Sequence, residues 1–407
     1  MQQAMKLAFF LAAYPVASET FVLRQIRGMI SLGHDVTIVT GFYDDSIPDP
    51  FEGAARVRLI RPIAAKQGGL FRQAAGVVSL IASAKSVQGR NRIRVAKTAI
   101  QGGLIAPLMD IAGCAKTSLG DYDVIIAHFG PAGVRAMYLR DAGLISGRIA
   151  TVFHGLDVTE KTLLDRFLPH YKTLFAKTEA LLPISALWKQ RLIGWGAEAE
   201  KISVHRMGVD VAQFAFRANR TLNRPLRIMT TARFVQKKGL IYAIQAICSV
   251  REDVQFTIVG YGPLELELRA AALACSDRIT FAGKLSHKDV LNALENTDVF
   301  LLPSVVADNG DMEGIPVSLM EAMALGVITV STWHSGIPEL ISDGVEGFLV
   351  QERDAGEIVD VIARIVGSGE DLLELRSAAR AKVEREFDNE KLDYRLQALL
   401  QSMLEDV

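Results

Sequence analysis

Two short apolar runs, Asp298 to Pro303 and Val327 to Thr332, bracket a segment that carries helix signals at both ends. Runs of this length, apolar on both faces and bounded by turn residues, read as strands buried in a parallel sheet. A parallel pair needs a long crossover, and Pro316 fits the first turn of a helix there while Gly326 fits its end. The unit is therefore strand, helix, strand, with its loops at the carboxyl ends of the strands, where such sheets bind ligands. Glu313 sits in the first of these loops and Glu321 one to two turns into the helix. A second polar loop, His334-Ser335-Gly336, follows the second strand, before Pro338 and Glu339 start another helix. A helix amino terminus attracts phosphate, whereas carboxylates beside it repel phosphate and suit hydroxyl-rich groups. Together they suit a sugar joined to a phosphate.

The same alternation runs along the whole chain. Lys6 to Ala12 reads as a strand, followed by the loop AAYPVASET, a helix from Thr20 to Leu32 ended by Gly33, and a strand from Asp35 to Thr40. The first loop lacks the Gly-x-Gly-x-x-Gly spacing of a dinucleotide site. It offers Ser18 and Thr20 instead, as helix caps or as groups near a phosphate. Residues 66–118 are helical by pattern. Strands Asp123 to Ala127 and Ile149 to Phe153 end in His128 and in His154-Gly155-Leu156-Asp157, and a histidine where a strand meets its loop is placed for function. Leu181 to Ser185 and Lys201 to His205 complete the strands of the first half, and the hydrophilic segment Arg217 to Pro225 reads as a linker. Leu226 to Thr231 opens a second set of strands. Its turn places Arg233 and Lys238 on either side of a strand-to-helix junction at Gly239, where a guanidinium, an ammonium and free N–H groups can grip phosphate oxygens. Gln255 to Val259 runs into Gly260-Tyr261-Gly262-Pro263, a turn that lets backbone approach a ligand. Ile279 to Phe281 leads to Gly283-Lys284-Leu285, with His287 and Lys288 read as solvated, and Phe348 to Val350 is the last strand before helices from Ala355 to the end.

At 407 residues the chain suits two domains. Composition and the linker give residues 1–220 and 221–390, with 391–407 as a terminal helix. The net charge of −1 hides a division: residues 1–220 hold 27 Lys+Arg and 17 Asp+Glu, or +10, and residues 221–407 hold 18 and 29, or −11. No acid lies between Glu52 and Asp110, a window with ten basic residues. Basic and apolar residues interleaved on helices suit an anionic membrane surface, and residues 66–100 are the expected contact. The other reading is a solvated face. No stretch is long enough to span a bilayer and no signal peptide is seen, so a cytoplasmic protein, peripheral on the inner face of the plasma membrane, is expected. Cys114, Cys248 and Cys275 are widely spaced and give neither a disulfide framework nor metal spacing. No nucleic-acid partner is expected.

The segment GIPVSLMEAMALG…STWHSGIPEL, with Glu313 and Glu321 in Glu-x7-Glu spacing, resembles the retaining glycosyltransferases of family 4, in particular the colanic-acid and exopolysaccharide branch. FHGLD, the Arg233-x4-Lys238-Gly239 element and Val-Gly-Tyr-Gly-Pro at 259–263 are similar to further motifs of that family. Met207 stands where the family has Asn, which puts that contact in doubt. The resemblance implies the α/β fold called GT-B, two doubly wound Rossmann-like domains facing across a cleft, with the final helix returning to the first domain. It implies transfer of a hexose from a nucleotide sugar, UDP-linked by branch, to a polyprenyl-diphosphate-linked or oligosaccharide acceptor, with retention and without a metal. By the same resemblance Arg233 and Lys238 stabilise the leaving diphosphate, Glu313 holds hydroxyls of the transferred sugar, and Glu321 holds the ribose. Gly314, Ile315 and Pro316 lie near the phosphates, Gly260 and Gly262 line the site, Lys284 and Leu285 read the base, and His154 hydrogen-bonds the donor sugar. A sugar-nucleotide epimerase on the same plan, or a catalytically silent sugar-nucleotide-binding partner in polysaccharide assembly, are the alternatives.

Overall fold

The computed structural model describes residues 4–16, 19–59, 77–78, 80–114, 118–217, 219–367 and 372–405. They form two compact units, one of Met1–Ile184, Trp188–His205 and Asp393–Val407, the other of Ser185–Leu187 and Arg206–Leu392. Each is built on its own six-stranded sheet.

The first sheet comprises β1 (Lys6–Leu11), β2 (Asp35–Thr40), β3 (Arg56–Leu59), β4 (Gly120–His128), β5 (Ile145–Phe153) and β6 (Ala180–Pro183), in the order β3-β2-β1-β4-β5-β6. Every pairing is parallel. Five successive residues of β1, Leu7 to Leu11, are buried, as a strand covered on both faces requires. The order reverses between β1 and β4, so the loops after these two strands splay apart and leave a crevice at their carboxyl ends. β3 escaped the reading of the sequence. Its Arg-Val-Arg-Leu alternation belongs to an edge strand, and its charges had been read only as part of the basic window.

The second sheet repeats the plan with β7 (Leu226–Arg233), β8 (Val254–Tyr261), β9 (Ile279–Gly283), β10 (Val299–Leu302), β11 (Ile328–Thr332) and β12 (Phe348–Val350), in the order β12-β11-β10-β7-β8-β9. These pairings are also all parallel. Here the reversal falls between β7 and β10. Two apolar clusters pack on this sheet, one around Phe256, Ile244 and Ile362, the other around Phe300, Met320 and Phe387.

Several expectations change. The helix Thr20–Ser31 starts one residue after Glu19, which occupies the cap position without a side-chain cap, so Thr20 is inside the first turn and caps nothing. Ser18 lies outside the described residues. Lys201 to His205 is not a full strand: the Ser203 and His205 N–H groups bond β6 at Leu181 and Pro183, while those of Lys201 and Ile202 bond Glu198 and Ala199 in a short 3-10 turn. The segment at 217–225 is no free linker, because Arg220 donates to the Glu295 carbonyl, Asn223 bonds Asp298, and Arg376 donates to the Arg220 carbonyl. The division between units therefore falls after His205 rather than near residue 220. The helix Asn389–Glu405 supplies Asp393, which pairs with Arg24 at 2.9 Å in the first unit. Cys248, at the end of the helix Leu240–Ser249, and Cys275, in the turn packed beside it, form a disulfide with Cα atoms 5.3 Å apart, although their spacing gives no disulfide framework.

Candidate active site

At the reversal of the second sheet, the turn after β7 and the loop after β10 converge on Glu313. This carboxylate is 8% exposed and meets the Lys238 ammonium at 2.9 Å and that of Lys237 at 3.6 Å. Burial alone would raise its pKa, but the two ammonium groups outweigh burial and hold it below the usual carboxylate range. Lys237 also pairs with Asp311 at 3.1 Å, and against its own desolvation the two carboxylates hold its pKa up. One oxygen of Glu313, Oε1, accepts no hydrogen bond and is enclosed. The Lys237 ammonium faces this oxygen at 3.6 Å, beyond hydrogen-bond distance, which leaves a buried acceptor with capacity for a ligand hydroxyl.

The second loop locks this arrangement from behind. The Glu313 N–H donates to His334 Nε2, and His334 Nδ1–H donates to Glu352. Ser335, a non-glycine residue at φ +49°, donates its hydroxyl to the Glu313 carbonyl. Glu352 further accepts the Val306 N–H, and Asp308 N–H donates to Gln236, so the loop after β10 is tied to both neighbours. Sequence reasoning had placed His334 in a polar loop without a role. Its signal was burial, since its side chain is wholly enclosed.

Arg233, at the end of β7, is exposed and makes no ion pair among the described residues, whereas Lys238 is engaged by Glu313. The two phosphate candidates thus differ: one guanidinium is unspent and one ammonium is shared. Gly239 has φ +62°, and a Cβ there would lie 1.8 Å from the Pro303 carbonyl oxygen, which fixes glycine at the point where β10 passes the turn. Gly260 and Gly262 are required by close approach to protein backbone, not shown to approach a ligand. A Cβ on Gly260 would lie 1.8 Å from the Ala232 oxygen, and one on Gly262 2.6 Å from the Phe234 oxygen.

Pro316 is the cap residue of the helix Val317–Leu325 rather than part of its first turn, and no side chain caps the N–H groups that follow. Gly314 and Ile315 lead into it. Glu321 accepts from or shares a proton with His287 Nε2 at 2.9 Å, which corrects the reading of His287 as merely solvated. That hydrogen bond raises the pKa of His287 above the ordinary histidine value. Lys284 lies with its ammonium 5.6 Å from the Tyr261 ring centroid, and Leu285 is partly buried beside the second apolar cluster. Arg233, Lys238, Gly260, Gly262, Lys284, Leu285 and Glu313 to Pro316 belong to strand ends, turns or loops on the carboxyl side of one parallel sheet, and Glu321 lies within the helix Val317–Leu325 that follows the last of these loops.

In the first unit His128 and His154 end the adjacent strands β4 and β5. His128 Nδ1 and His154 Nε2 are 3.0 Å apart. His154 is buried between Phe21 and Phe129, with ring centroids at 4.7 and 4.5 Å. Phe129 is held at φ +72°, a strained conformation for an aromatic residue. Asp157 joins the two strand ends: one oxygen accepts the N–H groups of His154 and Gly155, the other that of Gly130. Burial raises the pKa of Asp157 against these hydrogen bonds. Its role was missed because FHGLD drew attention to the histidine alone.

The single Asp-x-Asp of the chain, Asp121 and Asp123, lies toward the amino end of β4, away from the strand's carboxyl end. Asp123 accepts the Lys6 N–H and Asp121 the Ser146 hydroxyl. Among the described residues no three His, Cys, Asp or Glu side chains gather as a metal site.

Comparison with known proteins agrees with this layout. The family pattern "Glycosyl transferases group 1" matches residues 212–382, and "Glycosyl transferase 4-like domain" matches residues 17–208. The chain is 37% identical, over 96% of its length and 98% of the relative's, to the amylovoran biosynthesis glycosyltransferase AmsK of Erwinia amylovora. It is 39% identical, over 98% and 100% of the two chains, to WcaL of Salmonella typhimurium, provisionally named a colanic acid biosynthesis glycosyltransferase. Among solved structures it is similar to Anabaena Alr3699/HepE in complex with UDP, with a TM-score of 0.69 and 18% identity over 98% and 100% of the two chains. That likeness establishes the fold, the two-sheet GT-B plan. The chain belongs to the group 1 glycosyltransferases and is an enzyme that transfers glycosyl groups.

Proposed function

We propose that this enzyme transfers a hexose from a nucleotide sugar to a growing surface polysaccharide, with retention of anomeric configuration and without a metal. The observation that carries this reading is Glu313, a carboxylate 8% exposed yet held ionised between Lys238 and Lys237, with Oε1 accepting no hydrogen bond, on the same sheet whose β7 ends in Arg233, an exposed guanidinium without an ion pair among the described residues. A buried anion suits sugar hydroxyls, and cations at a strand-to-helix junction suit a departing diphosphate. Transfer with retention requires no side-chain nucleophile if the acceptor attacks on the face from which the diphosphate leaves and a phosphate oxygen takes the acceptor's proton. Glu321 then holds the ribose and His154 the sugar. UDP as the nucleotide is supported by the UDP complex of the structurally similar Alr3699/HepE. Exopolysaccharide as the product is supported by the names of the two relatives.

The acceptor in this reading is polyprenyl-diphosphate-linked and lies on the inner face of the plasma membrane. Among the described residues no helix is long and apolar enough to cross a membrane, so contact is peripheral. The helix Val87–Gln101 and its flanks supply exposed Lys85, Arg90, Arg94 and Lys97 together with exposed Ile81, Val87, Ile100 and Ile105. Arg92 is half-buried and donates to the Ala142 carbonyl, so it serves the fold. Residues 66–76 and 79 of the expected contact lie outside the described residues. Liposome co-sedimentation tests this part: binding rises with anionic lipid and falls with salt, and it drops in Arg90→Glu/Arg94→Glu/Lys97→Glu. The donor reading is tested by thermal shift against a panel of sugar nucleotides, followed by turnover with the stabilising one. A shift with a UDP-hexose without transfer to any lipid-linked or oligosaccharide acceptor contradicts it.

A further inference from the structure

We infer that His128 is a positioning residue, whose Nδ1–H donates to His154 Nε2 and thereby leaves His154 with its own proton on Nδ1, as a hydrogen-bond donor. The inference rests on the proposed contact of His154 with the donor sugar only for its catalytic consequence, not for the proton's position.

The two rings stand at the ends of neighbouring strands, His128 opposite Val152 on β5 and His154 directly after the last residue of β5. Their centroids are 5.2 Å apart with planes 19° from parallel, and Nδ1 of one is 3.0 Å from Nε2 of the other. His128 stacks on Phe9 at 5.9 Å, and His154 lies against Phe21 and Phe129. Among the described residues no carboxylate bonds either ring, and His205, itself bonded to Gln25, is a further titratable group facing them. Burial keeps both rings neutral. A hydrogen bond between two neutral imidazoles needs one N–H and one bare nitrogen, so only two arrangements exist.

The far side of His128 separates them. His128 Nε2 is enclosed and has no partner. If His154 donated, His128 would accept at Nδ1 and carry its proton on Nε2, leaving a buried N–H with nothing to receive it. If His128 donates, Nε2 is a bare acceptor. Orphaned buried N–H groups are the rarer of the two. The proton therefore sits on His128 Nδ1, and His154 accepts at Nε2. Neutral His154 must then hold its proton on Nδ1, which bonds nothing among the described residues and, unlike His128 Nε2, is not enclosed. That edge presents a donor, matched to a sugar hydroxyl or acetal oxygen. A histidine with the opposite tautomer would present a lone pair there.

The test is 15N spectroscopy of protein labelled at histidine, at about pH 7.5, with the His154 signals assigned by their loss in His154→Gln. The expected spectrum shows His154 and His128 each protonated on Nδ1. His128→Asn keeps an amide nitrogen near the position of Nδ1 and leaves His154 unchanged. His128→Leu removes the donor and drives His154 toward a mixture of tautomers. In turnover, kcat of His128→Leu falls on the order of tenfold, the worth of one hydrogen bond, with KM for the donor little changed, and His128→Asn restores it. A wild-type His154 protonated on Nε2 overturns the inference, even if the leucine variant does not fold. So does a His154 tautomer unmoved by His128→Leu. If the tautomer moves as expected and kcat does not, the role of His128 stands and the contact of His154 with the sugar falls.

Discussion

Acid should destabilise the first unit through its buried histidines, and the size of the effect can be worked from the structure. Burial and His205 hold His128 down to about 3, and burial and Arg395 hold His205 to about 4. Burial, His128 and His205 move His154 in the same direction. An unfolded histidine titrates near ~6.5, so between that value and the folded ones the unfolded chain binds more protons. Stability is therefore full above about pH 6.5 and falls as the pH drops toward the folded values. His128 and His205 each lose about 1.4 kcal/mol per pH unit, or roughly 2 kcal/mol by about pH 5 and roughly 4 kcal/mol together, and His154 adds in the same direction. That is a large share of the whole stability of many domains, about 5–15 kcal/mol. Of the three tryptophans, Trp188 and Trp195 lie in the first unit and Trp333 in the second. In Trp333→Phe, fluorescence follows the first unit alone. Urea titrations between about pH 7.5 and 5 should show the loss. A change below about 2 kcal/mol, less than two such histidines supply, would refute the neutral buried cluster.

Arg233→Ala should lower turnover by about 100-fold or more, the usual cost of one transition-state donor, while leaving the melting temperature unchanged, because the side chain is exposed and makes no ion pair among the described residues. Lys238→Ala should lower both, since it also breaks a buried pair with Glu313, a loss of about 3–5 kcal/mol in urea unfolding. Asp157→Ala strands the N–H groups of Gly130, His154 and Gly155 and should cost about 3 kcal/mol or more by the same measurement. A chelator should leave turnover intact, and a strict manganese requirement would count against the proposed mechanism.

The second sheet was legible because its strands are apolar on both faces and its helix is punctuated by Pro316 and Gly326. The charged residues of its loops stood out for the same reason. What could not be read were pairings between distant loops. Nothing in the sequence says that Lys238 meets Glu313, that His287 meets Glu321, or that His334 holds the Glu313 N–H. Those depend on the strand order, in which β7 and β10 become neighbours. Gly260 and Gly262 drew notice for a ligand, whereas the structure explains them by backbone contact with Ala232 and Phe234. Cys248 and Cys275 were not read as a pair because a separation of 27 residues carries no framework pattern, yet the helix and turn that hold them pack side by side. β3 was hidden by its arginines.

Calorimetric titration of UDP into the wild type, Glu321→Ala and Glu313→Ala tests the central assignment most directly. Loss of the ribose acceptor in Glu321→Ala should weaken binding by about 1.5–3 kcal/mol, roughly ten- to a hundredfold. Glu313→Ala should bind UDP as well as the wild type or better, because Lys238 is freed for the diphosphate while Lys237 keeps Asp311, and transfer of the sugar is lost. Equal weakening of UDP binding by both substitutions would contradict the assignment of one carboxylate to the nucleotide and the other to the sugar.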